Sequence, residues 1–306
     1  MNFFDKIPIS VYKILIVLAT IIWGYAFVGM KVAIASISPN WMVGIRFLLA
    51  GIILSVIVFR TIKQNFCKEF LLYSVMLGFI EFLAFSAQTV GLKFTTPGVN
   101  AFLTAAYCVI TPFFAWLMFK KRPRLRNFLA AFIALIGIWL VSVSGDSQFS
   151  IGIGEILSFD CAFFFAAHIV LMSKATKKYN AIALSASEFI FEGLFGIITG
   201  VIFEPAPMLA DFTPEFVGLL AFLVIFSTII CFGIQNISLA YVPPSQASLL
   251  LSLECVFGVI FSVLLYGEVV SMRMAIGFVL IFSGVIVSEY EPSRKKPNKK
   301  PSADNI

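Results

Sequence analysis

Seven ionisable side chains stand inside long apolar runs of this chain: Arg46, Glu81, Asp160, His168, Glu188, Glu192 and Glu254. An unpaired charge at hydrocarbon depth costs about 2.5 kcal/mol or more, so each is a candidate for ligand, proton or counter-charge. Glu254 lies near the middle of its run, where a carboxylate suits a substrate amine or a proton; the plainer role is a hydrogen bond between helices. Glu81 and Gln88 are seven residues apart and share a helix face. A glutamine both donates and accepts, which suits zwitterions, amides and hydroxyls alike. His168 is the only histidine, and imidazole alone titrates near neutrality in its unperturbed form, so with Asp160, about 80° round the same helix, it is the candidate for proton coupling. Glu188 and Glu192 are four apart on one face and repel, which calls for a proton or a cation between them. Arg46 is the cation at such depth, expected to pair with these carboxylates or to hold a substrate carboxylate. Trp23, Tyr25 and Tyr107 carry N–H or O–H groups that need partners when buried, so they join Glu254, Gln88, Gln235 and Glu81 as candidate substrate-binding residues.

These residues must be carried by membrane helices. The chain has 306 residues, 60% of them hydrophobic and 12% charged, with mean hydropathy +1.00, which excludes an ordinary soluble domain. Apolar runs at 13–34, 41–59, 70–92, 97–119, 126–144, 154–173, 182–203, 215–240, 245–266 and 271–289 predict ten transmembrane helices. The first resembles a signal peptide but is too long and lacks a clear cleavage site, so it is read as helix 1. Pro112 predicts a kink in the fourth. Thr96-Pro97-Gly98 and Pro243-Pro244-Ser245 are read as turns, Gly196 and Gly200 as a small-xxx-small pair. The cysteines (Cys67, Cys108, Cys161, Cys231, Cys255) lack metal-ligand spacing and are expected to pack as apolar residues. No cofactor or metal is expected, and without a Walker motif ATP is not the direct energy source.

Laid over itself at an offset of 147 residues, the chain matches without a gap from Ala84–Ser142 to Cys231–Glu289, with eleven identities in 59 positions. They include Gln88/Gln235, Pro97/Pro244, Arg126/Arg273 and Gly137/Gly284; Glu254 falls on Tyr107, and Thr228 on Glu81. The expected fold is therefore an all-α membrane protein of ten helices, two inverted five-helix repeats around a central cavity: 10–144, 150–289, and a basic cytoplasmic tail at 290–306 expected to be disordered and to touch anionic lipid. Five is odd, so the second repeat must insert upside down. Basic residues agree: 18 lie in the termini and the 60–69, 120–126 and 174–178 loops, against Lys31, Lys93 and Arg273 on the other side. The positive-inside rule then puts both termini in the cytoplasm. Gly145-Asp146 falls in an outside loop, the wrong context for an intramembrane protease.

Three segments resemble the EamA-type branch of the drug/metabolite transporter superfamily: WGYAFVGMKVA (23–33), GLKFTTPGVNAFLTAAYCVITPFFAWLMFKKRP (91–123) and AYVPPSQASLLLSLECVFGVIFSVLLYGE (240–268). With the repeat, the resemblance covers roughly residues 10–290. It departs at Lys120-Lys121, where the family has Gly-Glu, kept here as Gly267-Glu268, and at Cys255, where the family has proline. The resemblance implies a non-enzymatic secondary transporter that exports or imports a small organic metabolite (amino acid, derivative or amphipathic compound) by alternating access; export is the expected direction, and the short loops point to the plasma membrane. The alternatives weighed are a vitamin or nutrient importer of the same fold, a passive channel and an intramembrane enzyme. Expected partners are the small-molecule substrate and membrane lipid, with self-association open and no nucleic acid.

Overall fold

The computed structural model describes residues 7–120, 122, 125–142 and 152–289. The predicted tail at 290–306, Lys6, the loop cations Lys121 and Arg124, and Gly145-Asp146 lie outside the described residues. Among the described residues fourteen α-helices follow one another: α1 (Ile9–Ser36), α2 (Pro39–Ile57), α3 (Phe59–Asn65), α4 (Lys68–Phe94), α5 (Pro97–Thr104), α6 (Tyr107–Phe119), α7 (Leu125–Ser142), α8 (Ile153–Ala175), α9 (Ala181–Phe203), α10 (Pro214–Phe222), α11 (Cys231–Tyr241), α12 (Pro244–Leu251), α13 (Glu254–Phe261) and α14 (Met272–Glu289). Among the described residues there is no strand. The starts follow from capping. Thr96, Asn180 and Thr213 accept from backbone N–H groups of the helices they precede, and Pro39, Pro97, Pro214 and Pro244 occupy first-turn positions where no N–H is needed.

Among the described residues eight helical stretches are long and apolar enough to cross a membrane, with Pro97–Phe119, Pro214–Tyr241 and Pro244–Tyr266 each counted as one; α7 and α14 hold the shorter apolar stretches Phe128–Gly137 and Met272–Gly284. Eight of the ten predicted spans thus meet the length criterion. The exterior is apolar, with Leu18, Val56, Phe132, Ile198 and Leu264 exposed, while Arg46, Glu81, His168, Glu188 and Glu192 are buried. That inversion suits a solvent of lipid tails.

Backbones meet closely where glycine permits. α2 lies on α9, and a Cβ at Gly44 would come 2.6 Å from the Ile197 amide nitrogen, one at Gly193 2.4 Å from that of Leu48. Gly196 touches Gly44, and Gly200 the Trp41 ring, so this small-residue pair serves packing within the chain. α7 lies on α14 by a reciprocal contact: Gly137 meets Gly277 and Ile281, and Gly284 meets Ala130 and Ala134. Shifting Ala130, Ala134 and Gly137 by 147 gives Gly277, Ile281 and Gly284, so the offset that aligns the halves also exchanges the two sides of their contact. Likewise α1 packs on α11 and α13, while α8 packs on their images α4 and α6.

The kink expected at Pro112 is not where the helix breaks. The break is at Ala105–Ala106, upstream, and an equivalent break at Ser252–Leu253 lies 147 residues on. The hydrogen bonds also match: Ala106 N to Leu103 O (3.2 Å), Cys108 N to Ala105 O (3.1 Å), Leu253 N to Leu250 O (3.2 Å) and Cys255 N to Ser252 O (3.1 Å). These i to i−3 bonds tighten one turn to 3₁₀ geometry. Val259 stands opposite Pro112 in the second half, so proline does not cause a break that both halves share.

Candidate substrate pocket and buried charge cluster

The first residue after each break is Tyr107 in one half and Glu254 in the other. Both line a cavity of about 60 Å³ between the helices, where the hydroxyl lies within electrostatic reach of the carboxyl. Two further image pairs line it, Gln88/Gln235 and Phe85/Phe232, from α4 and α11. Trp23, Phe27 and Met30 of α1 and Phe165 and Ile169 of α8 complete an apolar wall. The Gln88 amide donates to Thr104 Oγ1 at 3.1 Å, fixing its orientation.

Arg46 supplies the cation in the wall. Its Nε donates to Thr228 Oγ1 (2.7 Å) and its Nη2 to Ser227 Oγ (3.1 Å), while the guanidinium carbon lies 4.9 Å and 5.1 Å from the ring centres of Phe47 and Phe85. Both hydroxyls belong to a π-helical stretch, Leu223–Ile230, between α10 and α11. The wider turn shifts the carbonyl pattern: Thr228 Oγ1 donates to Leu223 O at 2.9 Å, and Ser227 O accepts Trp23 Nε1–H at 2.8 Å. The corresponding stretch of the first half lies within regular α4, so the two walls differ here.

Behind the pocket lies a second polar group. His168 is fully buried, with Nε2 3.1 Å from Glu188 Oε2 and Nδ1 3.3 Å from Glu81 Oε2. Glu188 Oε1 accepts from Asn236 Nδ2 at 2.9 Å, and that nitrogen also donates to Ser185 Oγ at 2.9 Å. Gln235 Nε2 reaches Asn236 Oδ1 at 3.4 Å, which joins the cluster to the pocket wall. Glu192, one turn from Glu188, is buried with neither oxygen hydrogen-bonded among the described residues, and it stands first among the carboxyls within electrostatic reach of Arg46, ahead of Glu81.

The structure therefore sorts the predicted residues. Glu254, Tyr107, Gln88, Gln235 and Trp23 share the pocket with Arg46. Glu81 does not line it, because the two turns that separate it from Gln88 carry it down the helix to His168. Tyr25 packs edge-on against Phe222 and Phe261, at 5.0 Å and 5.8 Å, outside the lining. Asp160 is exposed on α8, so a rotation of about 80° from His168 takes it off the buried face. The partners of His168 come from α4 and α9 instead. Glu188 and Glu192 divide their roles, one to the imidazole and one toward Arg46. Residues missed from sequence are Ser227 and Thr228 as Arg46 acceptors, Asn236 as the link, and Phe85/Phe232, which stood among the repeat identities.

Known proteins agree with this architecture. The model described as the EamA-like transporter family matches residues 11–143 and again 152–290. An uncharacterized transporter of Archaeoglobus fulgidus is 30% identical over 275 residues, 88% of this chain and 83% of its own. The uncharacterized transporter YoaV of Bacillus subtilis is 24% identical over 292 residues, 92% of this chain and 97% of its own. A solved crystal structure shares the fold with TM-score 0.69 at 15% identity, over 92% of this chain and 96% of that one.

Proposed function

Because the chain belongs to the EamA-like transporter family, and is a multi-pass membrane protein, we propose that it carries a small zwitterionic, cationic or neutral organic metabolite through the central pocket. The ten apolar helices act as two inverted five-helix repeats in the plasma membrane, with both termini cytoplasmic. The repeats rock about the pocket, and the physiological direction is export. The observation that supports this best is the lining of one cavity by three image pairs, Phe85/Phe232, Gln88/Gln235 and Tyr107/Glu254, the last at matching helix breaks. Interrupted helices at the repeat interface are where transporters of inverted-repeat design hold substrate.

In this reading Glu254 binds an amine or hydroxyl, Tyr107 orients Glu254, and the two glutamines hydrogen-bond to the polar end of the substrate. The aromatic wall covers its apolar part. With Arg46 as the cation of the wall, a polyanion is disfavoured. A thermal-stabilisation screen of the purified full-length protein against amino acids, their amides, vitamins and amphipathic cations tests the assignment. A saturable rise in melting temperature that Glu254→Gln abolishes is the expected result. Stabilisation unchanged in Glu254→Gln, Gln88→Ala and Gln235→Ala would remove these residues from the site.

A further inference from the structure

The pocket needs none of Glu81, His168 or Glu188, yet these three are among the most completely buried polar groups of the molecule. Their geometry is not that of a satisfied structural network. His168 Nδ1 and Glu81 Oε2 are 3.3 Å apart, yet neither makes a hydrogen bond among the described residues, and Glu192 also keeps both oxygens unbonded. Buried polar atoms without partners are uncommon enough to call for a role.

Charge counting points to that role. Facing His168 are Glu81 from α4 and Glu188 from α9, with the amide of Asn236 from α11 behind Glu188. Around them stand Glu192 on α9, Arg46 on α2 and Glu254 on α13, with Tyr107 on α6 beside Glu254 and the thiols of Cys161 on α8 and Cys231 on α11. Glu81, Glu188 and Glu192 together outnumber Arg46 and an imidazolium by one negative charge, before Glu254 is added. Uncompensated charge in such a place costs several kcal/mol. A proton is the smallest compensating cation and fits the 3.1 Å and 3.3 Å separations on either side of the ring.

We propose that Glu81, His168 and Glu188 form a buried proton-binding site, separate from the substrate pocket, whose occupancy reaches that pocket through Asn236–Gln235 on one side and Arg46 on the other. The site binds one exchangeable proton shared between the imidazole and the flanking carboxyls. The two links end on two lining residues of the cavity, Gln235 and Arg46, so loading the site changes the charge that Arg46 faces and the acceptor state that Asn236 and Gln235 report. This deepens the transport reading and rests on it for the proton's purpose, although binding of the proton itself does not.

Infrared titration of the full-length protein in lipid vesicles tests the site without any substrate. In wild type, raising the pH from about 5 to 9 should diminish the C=O band of protonated carboxyls. Glu81→Gln and Glu188→Gln should each remove part of that amplitude, the share of one carboxyl in a buried set that also holds Glu192 and Glu254. His168→Gln should move its midpoint, and Arg46→Gln should move it upward, because removing a cation lets the carboxyls keep their proton to higher pH. Asp160→Asn should leave it as in wild type. Melting curves of each variant show that it is folded. A band that does not change over this range, or one that changes identically in Glu81→Gln, Glu188→Gln and His168→Gln, overturns the proposal. An unmoved midpoint in Arg46→Gln overturns the link to the pocket. Failure of the ligand screen with a titrating band counts against the transport reading alone, and a positive screen with a flat band counts against the proton site alone.

Discussion

Arg46→Gln is the substitution whose cost can be worked out most fully. The guanidinium is 2% exposed, so its interactions are made away from solvent. It loses two charge-assisted hydrogen bonds, at 2.7 Å and 3.1 Å, each worth about 1.5–3 kcal/mol. It also loses two ring contacts at 4.9 Å and 5.1 Å, each worth roughly 0.5–2 kcal/mol. Relief of the desolvation penalty of a buried cation offsets several kcal/mol of that sum, while Glu192 and Glu81 lose their counter-charge. The balance is about 3–5 kcal/mol, the scale of the loss when buried carboxylates are left without a counter-charge. On the scale of soluble domains, that is a fall on the order of 10 °C in melting temperature. The sign with pH follows from the partners. Arg46 stabilises ionised carboxylates, so its contribution is present in alkali and declines as acid neutralises them; the loss should be larger at pH 8 than at pH 5. Arg46→Lys should fall between, since it keeps the charge but loses the planar fork and ring stacking. Melting curves in detergent at both pH values provide the measurement. A loss below about 1 kcal/mol, or the same loss at both pH values, would refute the electrostatic account of this site.

Four further outcomes are expected. Lys120 adopts φ +56° at the end of α6, where its image is Gly267 at φ +74°; Lys120→Gly should therefore stabilise by about 0.5–1 kcal/mol in thermal melts, the left-handed penalty less the entropy glycine adds to the unfolded chain. Gly44→Ala must separate α2 from α9, because its Cβ would sit 2.6 Å from backbone, and should cost about 1–3 kcal/mol. Gly218→Ala meets nothing within 4 Å and should gain about 0.5–1 kcal/mol from helix propensity alone. Cys67 is exposed and the other four cysteines are buried. The Tyr179 hydroxyl and Phe70 amide hold the Cys67 thiol below its ordinary range, so a membrane-impermeant maleimide should label it readily near neutral pH in inside-out vesicles and not in intact cells. Labelling of intact cells would reverse the topology.

How much of this was legible without coordinates differs from residue to residue. The repeat register was, because Gln88/Gln235, Pro97/Pro244 and Gly137/Gly284 occupy positions where side-chain chemistry or backbone geometry resists substitution by another apolar residue. That register already placed Tyr107 opposite Glu254. It also located the departure at Lys120, although only the dihedral angle revealed that a lysine stands in a left-handed position. Helix breaks were less legible: Pro112 drew attention to a site that the break avoids, and the residues at Ala105–Ala106 and Ser252–Leu253 carry no strong local signal.

The amino-acid sequence by itself determined an apolar helical chain built twice from one pattern, the polar residues that had to be inside it, and the image pairs that lie together in the pocket. These follow from local composition and from periodicity, which do not depend on where a helix packs. Tertiary structure alone decided which polar groups meet. Whether His168 or Asp160 meets Glu81 and Glu188 depends on the rotation of α8 against α4 and α9, and a turn of less than a quadrant exchanges the core for the outer surface. The crossing of α2 on α9, at glycines roughly 150 residues apart in the chain, brings Arg46 toward Glu192. No local pattern specifies that crossing, because the contact energies that select it are spread over many side chains from distant segments.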